Sequence, residues 1–154
     1  MDIEATAEQA IAELGLGDCF TLDALLGAVK ERRQRALRIV ELSDLKVSDG
    51  LCAIWLITER EDLILHAHTD SVLHRQQFVL HELAHMLLGH DEQHACDLQD
   101  ALLPDIPPHT RGRILTRGDL KGDSEIAAEL VADGLAAAIR ASAFGESRYS
   151  EIFG

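Results

Sequence analysis

The hydrophobic pattern divides the chain into helical segments at both ends and a strand-like segment in the middle. Apolar residues recur at intervals of three and four in residues 3–14, and Thr21 is a typical capping residue for a second helix. We therefore expect residues 1–37 to form N-terminal helices. The basic cluster from Lys30 to Arg35 lies at the end of the second helix, where we expect it to be solvated; a docking patch is the alternative.

The middle segment, residues 38–68, consists of short runs of branched and aromatic apolar residues separated by turn-forming residues. This pattern predicts three strands, at residues 38–42, 51–57 and 63–66. Because the connections between them are short, we expect a small antiparallel or mixed sheet, in its simplest form a meander.

Helical signals return after the strands. Residues 70–89 contain neither Gly nor Pro before Gly89, which predicts a helix that begins near Ser71 and ends at that glycine. Residues 91–110 contain all three prolines of the chain, and we expect them to form a loop that could act as a lid.

The C-terminal part completes the predicted architecture. Arg111–Arg117 is predicted to be one short helix, and residues 123–143 a long Ala-rich helix with an acidic first turn. Helices before and after a small sheet indicate an α+β fold, with residues 1–154 forming a single domain.

Composition and charge narrow the range of functions. The net charge of −13 disfavours direct binding of nucleic acid, because neutralising phosphates needs a basic surface. No apolar run approaches the ~20 residues that span a bilayer, and the acidic beginning of the chain lacks the basic start of a secretory signal. We therefore expect a cytoplasmic protein whose three widely spaced cysteines are free thiols.

The segment His81-Glu82-Leu83-Ala84-His85 lies within the predicted helix of residues 70–89. On a helix, His81 and His85 are separated by one turn and about 40° around the axis, so both imidazoles can reach one metal ion. Glu82 is about 100° further round, where it is placed to contact a water on the open side of the metal rather than to be a ligand. This spacing predicts a zinc site; another divalent ion such as Mn²⁺ is also possible.

Two histidines alone bind zinc weakly, so a third ligand is required. Glu125, in the first turn of the last predicted helix, is the better candidate, and Glu129 one turn later could accept a hydrogen bond from the outer ring nitrogen of a ligand histidine. The alternatives for the third ligand are His90, Asp91, His94 and Cys96. A site closed by several of these would be structural rather than catalytic.

The sequence from Phe78 to His90, together with Glu125 followed three residues later by Ala128, resembles the ImmA/IrrE-type zinc metallopeptidases. The resemblance covers roughly residues 38–140, and its first motif is the more specific. It implies a zincin-like domain in which His81, His85 and Glu125 bind zinc and Glu82 is the catalytic acid and base. Asp133 and Gly134 depart from the family pattern, because they lie where a packed helix is expected.

The resemblance also implies a function. In that family the usual substrate is a helix-turn-helix transcriptional repressor, which is cleaved to derepress phage, mobile-element or stress genes. The alternative is a zinc-containing or toxin-like module that sequesters such a regulator without proteolysis, since the same residues would serve both.

A peptidase of this kind also needs a donor that stabilises the tetrahedral oxyanion. The residues that could provide this contact, or contact substrate, are His94, His109, Arg117 and Tyr149. All four stay candidates at the level of the sequence.

Overall fold

The computed structural model describes residues 2–46, 51–58, 60–90, 96–97, 111–116 and 122–153, with side chains described for 2–42, 53–58, 60–90 and 122–144. The described elements, in chain order, are α1 (Ile3–Ala12), α2 (Leu22–Arg33), β1 (Ala36–Lys46), β2 (Leu51–Ile57), β3 (Glu61–His68), α3 (Val72–Leu87), β4 (Cys96–Asp97), β5 (Arg111–Thr116) and α4 (Asp123–Phe153). Helices flank a small mixed sheet, so the expected α+β class is confirmed.

The sheet has the strand order β1-β3-β2-β5-β4. The simple meander is therefore wrong: β1 pairs with β3 in parallel, and β3 lies between β1 and β2. Strands β2 and β3 form a hairpin whose turn is closed by bonds between Thr58 and Glu61. Most of β3 is buried, so it needs a partner on each side, whereas β1 alternates between exposed and half-buried positions, as suits an edge strand.

The segment Arg111–Thr116 is a strand, so the short helix predicted for Arg111–Arg117 is wrong. It pairs with β2 on the side away from β3, and two residues of the predicted 91–110 loop, Cys96 and Asp97, pair with it in turn as β4. A segment of six residues is too short for apolar periodicity to distinguish a helix from a strand. The strand forms because the segment pairs with the edge of β2, a distant partner that the local sequence does not reveal.

The predicted starts of α2 and α3, and the predicted end of α3, agree with the structure. The hydroxyl of Thr21 accepts a hydrogen bond from the backbone N–H of Ala24 at the start of α2, and Ser71 caps α3 in the same way. Gly89, with φ of 72°, follows the C-cap of α3 in the left-handed conformation. Among the described residues, no helix is both long and apolar enough to span a membrane.

The last helix, α4, continues to Phe153, ten residues beyond the predicted end at residue 143. The additional ten residues, 144–153, contain one Gly and no Pro, so nothing in them forces the helix to end.

The core is built in layers that place α3 at the centre of the molecule. Helix α3 packs on β2 and β3 on one side and on α4 on another, and α1 covers α4. Small residues make the contact between α3 and α4 close: Ala84, Ala128 and Ala132 are all fully buried. Gly134 plays the same part between α4 and α1, because a Cβ there would lie 2.5 Å from Ile11 Cδ1. The departure at Gly134 thus reflects helix packing.

The basic end of α2 is solvated only in part: Lys30 and Arg32 are exposed as predicted, whereas Arg33 and Arg35 contact the sheet. Arg33 forms an ion pair with the buried Asp62, at 2.5 and 3.2 Å, and its guanidinium lies 5.1 Å from the ring centre of Trp55. The Trp55 indole N–H donates to the same carboxylate at 3.1 Å, and Arg35 donates to the carbonyl oxygens of Thr58 and Glu61. These long-range partners hold α2 beside the strands that support α3.

Two glycine-to-alanine substitutions should change stability in opposite directions. At Gly89 an added Cβ meets no atom within 4 Å, so Gly89→Ala should destabilise by about 1 kcal/mol through its left-handed backbone alone. At Gly27, inside α2 and equally open, Gly27→Ala should stabilise by about 0.5–1 kcal/mol through helix propensity. Urea unfolding of the metal-free variants measures both, and shifts of the same sign would contradict the assigned conformations.

Candidate metal centre

Helix α3 places its two histidines and the intervening glutamate in the interior. His81, Glu82 and His85 are each no more than 2% exposed. The residues from Val79 to Leu87 are all buried, because α3 has the sheet on one side and α4 on another. Burying a polar group is costly unless it is hydrogen-bonded or paired with a charge. The contacts of these three side chains therefore indicate their role.

Helix α4 brings two carboxylates to these histidines. Glu125 lies in its first turn, where the helix dipole favours a negative charge, and Glu129 follows one turn later. Both face α3 across the fully buried Ala128, whose small side chain lets the helices approach. On each helix the two residues are four positions apart and lie on the same face. His81 and His85 of α3 therefore face Glu125 and Glu129 of α4.

Three atoms at the centre of the site, one from each of His81, His85 and Glu125, form a nearly equilateral triangle. His81 Nε2 lies 3.0 Å from Glu125 Oε2, and His85 Nε2 lies 3.2 Å from the same oxygen. The two Nε2 atoms are 3.1 Å apart, and the rings are inclined at 71°. Two imidazole nitrogens and one carboxylate oxygen thus converge on a single point.

This triangle fits a divalent metal ion. Ligand atoms at ~2.0–2.1 Å from a tetrahedral zinc are ~3.3 Å from one another, so the observed separations need to open by only a few tenths of an ångström. His81, His85 and Glu125 are the group among the described residues that could hold a metal ion. Three ligands fill three corners of a tetrahedron.

The outer nitrogen of His81 contacts the second glutamate. His81 Nδ1 donates to Glu129 Oε2 at 3.1 Å, the type of contact that fixes the orientation of a metal-binding imidazole. Gln77, one turn before His81, donates to Asp133 at 3.2 Å, and it also helps to lower the pKa of Glu129. Sequence reasoning missed Gln77. Its position on the same face of α3 as His81 was the available signal.

The outer nitrogen of His85 contacts His90, with 2.8 Å between the two Nδ1 atoms. Sequence reasoning considered His90 as a competing third ligand, and the structure instead places it behind His85. The glycine that ends α3 was the available signal, because a left-handed residue after a helix turns the next side chain back towards the last turn.

The electrostatics of the metal-free site reflect this convergence. Burial lowers the pKa of His81, but its hydrogen bonds to Glu125 and Glu129 and the nearby charge of Glu82 outweigh burial and raise it to about 9. Burial would raise the pKa of Glu125, but His81 and His85 hold it well below its usual range. The hydrogen bond from His81 likewise lowers the pKa of Glu129. The site thus keeps its carboxylates ionised, as a cation requires.

Glu82 follows His81 on α3 and is not one of the three converging residues. It is 1% exposed, and it does not belong to the metal-capable group of the described residues. Its charge contributes to the raised pKa of His81, so its carboxylate is close enough to act on that site. This position is compatible with a proton-transfer role.

The remaining sequence candidates cannot be placed in the site. Asp91, His94, His109 and Arg117 lie outside the described residues, as does most of the 91–110 segment predicted to be a loop or lid. Tyr149 lies in α4 and Cys96 in β4, but their side chains are outside the described set. The choice of an oxyanion donor therefore stays a prediction.

Comparisons with protein-family models, with curated proteins and with solved structures gave no match to this chain. The resemblance to ImmA/IrrE-type metallopeptidases thus rests on the quoted residues alone.

Removing one of the three converging donors should abolish tight metal binding. We expect the wild-type protein to bind one zinc ion. Loss of a residue that only supports a ligand weakens metal binding by up to ~100-fold. His81→Ala and Glu125→Ala remove a ligand itself, so we expect each to weaken zinc binding by more than ~100-fold. His74→Ala is the matched control, because His74 is an exposed histidine on the same helix. Competition with a chromophoric chelator measures the affinities. Equal affinities for His81→Ala and His74→Ala would contradict the site.

Proposed function

We propose that this protein is a zinc-dependent endopeptidase that acts in the cytoplasm and cleaves a helix-turn-helix transcriptional repressor. The observation that carries the proposal is the triangle of two imidazole nitrogens and one carboxylate oxygen, with separations of 3.0, 3.1 and 3.2 Å. Sites with three protein ligands are typical of catalytic zinc, which keeps one position for water or substrate, whereas structural sites have four ligands.

The donor set favours zinc. Two neutral imidazoles and one carboxylate match the ligands of hydrolytic zinc sites, whereas Mn²⁺ and Mg²⁺ prefer more oxygen ligands. The hydrogen bond from His81 to Glu129 supports this assignment, because metal-binding histidines commonly donate their second N–H to a carboxylate. In this proposal His81, His85 and Glu125 hold the ion.

The chemistry needs one ion and one proton carrier. Bound zinc supplies a Lewis acid that polarises the scissile carbonyl and lowers the pKa of water to about 7. Glu82 accepts the proton of the attacking water and delivers it to the amine nitrogen as the C–N bond breaks. One residue thus serves first as the general base and then as the general acid. Its burial suits this role, because excluding solvent strengthens the interaction of a carboxylate with nearby charge.

The substrate class is supported by charge as well as by the resemblance. ImmA/IrrE-type enzymes usually cleave helix-turn-helix repressors, and such proteins carry basic surfaces that contact phosphates. A chain with a net charge of −13 would attract a basic protein and repel DNA. This favours an encounter with a repressor that has been released from its operator.

Glu82→Gln should separate metal binding from proteolysis. The amide keeps the size of the side chain but cannot accept the proton, so we expect zinc to remain bound and cleavage to become ~10²–10⁴-fold slower. The matched control is Glu8→Gln, an exposed substitution on α1. The measurement is the intact mass of a helix-turn-helix repressor encoded beside this protein and co-expressed with each variant.

Three outcomes distinguish the alternatives. A fragment with wild type and Glu8→Gln, but not with Glu82→Gln, supports the proposal. Equal cleavage by Glu82→Gln would refute the assigned role of Glu82. A stable complex with uncleaved repressor for wild type and all variants would show a module that sequesters its partner, and would refute the peptidase.

A further inference from the structure

The C-terminus of α3 is a Schellman turn that fixes the position of His90. The N–H of Gly89 bonds to the carbonyl of Met86 at 3.2 Å, and the N–H of His90 bonds to the carbonyl of His85 at 3.0 Å. This pair of bonds, with Gly89 at φ of 72°, is the pattern that ends a helix through a left-handed residue. The backbone of His90 is therefore hydrogen-bonded to His85, and the side chain of His90 contacts the imidazole of the same residue.

The two imidazoles meet through their Nδ1 atoms. These atoms are 2.8 Å apart, the ring centres are 5.1 Å apart and the planes are inclined at 55°. At this separation one Nδ1 must carry the proton and the other must accept it. The contact lies on the side of the His85 ring away from Nε2, which faces His81 and Glu125.

The direction of this hydrogen bond follows from the metal. When His85 Nε2 binds a cation, the neutral imidazole has its proton on Nδ1, so His85 donates. His90 then accepts at Nδ1, and in its neutral form its own proton is on Nε2. The site thus specifies the tautomers of two histidines through one contact.

We propose that His90 is a positioning residue that accepts the Nδ1–H hydrogen bond of His85 and so orients His85 Nε2 towards the metal. The proposal rests on the metal centre described under Proposed function. It gives each ligand histidine its own outer acceptor: Glu129 from α4 for His81, and His90 from the turn after α3 for His85.

The pairing also argues against His90 as a ligand of the same ion. Its Nδ1 faces the outer nitrogen of His85, and His90 is not a member of the group of described residues that could hold a metal. A neutral acceptor at this position leaves the charge of the ligand set unchanged, whereas a second glutamate would add a negative charge. The two ligand histidines therefore differ in the charge of their outer partners.

Three variants test the role of His90 in zinc affinity. His90→Leu keeps the bulk and removes the acceptor, so we expect ~10–100-fold weaker zinc binding. His90→Asn keeps an acceptor oxygen at the same number of bonds from the backbone and should restore most of the lost affinity. His74→Leu, on the exposed part of α3, is the control and should bind like wild type. Equal loss in the Leu and Asn variants would refute the positioning role.

A second measurement on the zinc-loaded wild type does not depend on any variant folding. Long-range ¹H–¹⁵N spectra of the histidines should show His85 protonated at Nδ1 and His90 unprotonated at Nδ1 and protonated at Nε2. A proton on His90 Nδ1, or zinc bound there, would overturn the inference alone. Failure of the wild type to bind zinc would instead overturn the metal centre, and the role of His90 with it.

Discussion

The close packing of α3 against α4 is the constraint on which the site depends. Neither helix contains a complete ligand set: α3 supplies two imidazoles, and α4 supplies the carboxylate of Glu125. The carboxylate reaches both imidazoles because Ala84, Ala128 and Ala132 bring the helix backbones together. A larger side chain at this contact would move the helices apart and separate the atoms that now lie 3.0–3.2 Å from one another.

The environment of the site combines burial with hydrogen bonding of the two ligand histidines. His81 and His85 are almost fully buried, and each contacts Glu125 through Nε2 and a second side chain, Glu129 or His90, through Nδ1. The pKa of His81 is raised, despite its burial, because its protonated imidazole donates to both Glu125 and Glu129. The same carboxylates that stabilise this proton would stabilise a metal ion, so the metal-free site is already organised for binding.

Local signals in the sequence predicted the site better than they predicted the sheet. The i, i+4 spacing of His81 and His85 can be recognised within five residues of sequence. The acidic first turn that contains Glu125 is an equally local signal. The order of the strands depends on which distant segment pairs with the open edge of β2, and Arg111–Thr116 has no local feature that reveals it. The link from Arg33 to Asp62 is equally non-local. His90, by contrast, follows a helix-ending glycine and was within reach of sequence reasoning.

The most direct test is a crystal structure of the zinc-loaded protein. The account predicts zinc bound by His81 Nε2, His85 Nε2 and one oxygen of Glu125, with the fourth position taken by solvent. It would be contradicted by a fourth protein ligand that closes the site, or by Glu125 directed away from an ion held by other residues.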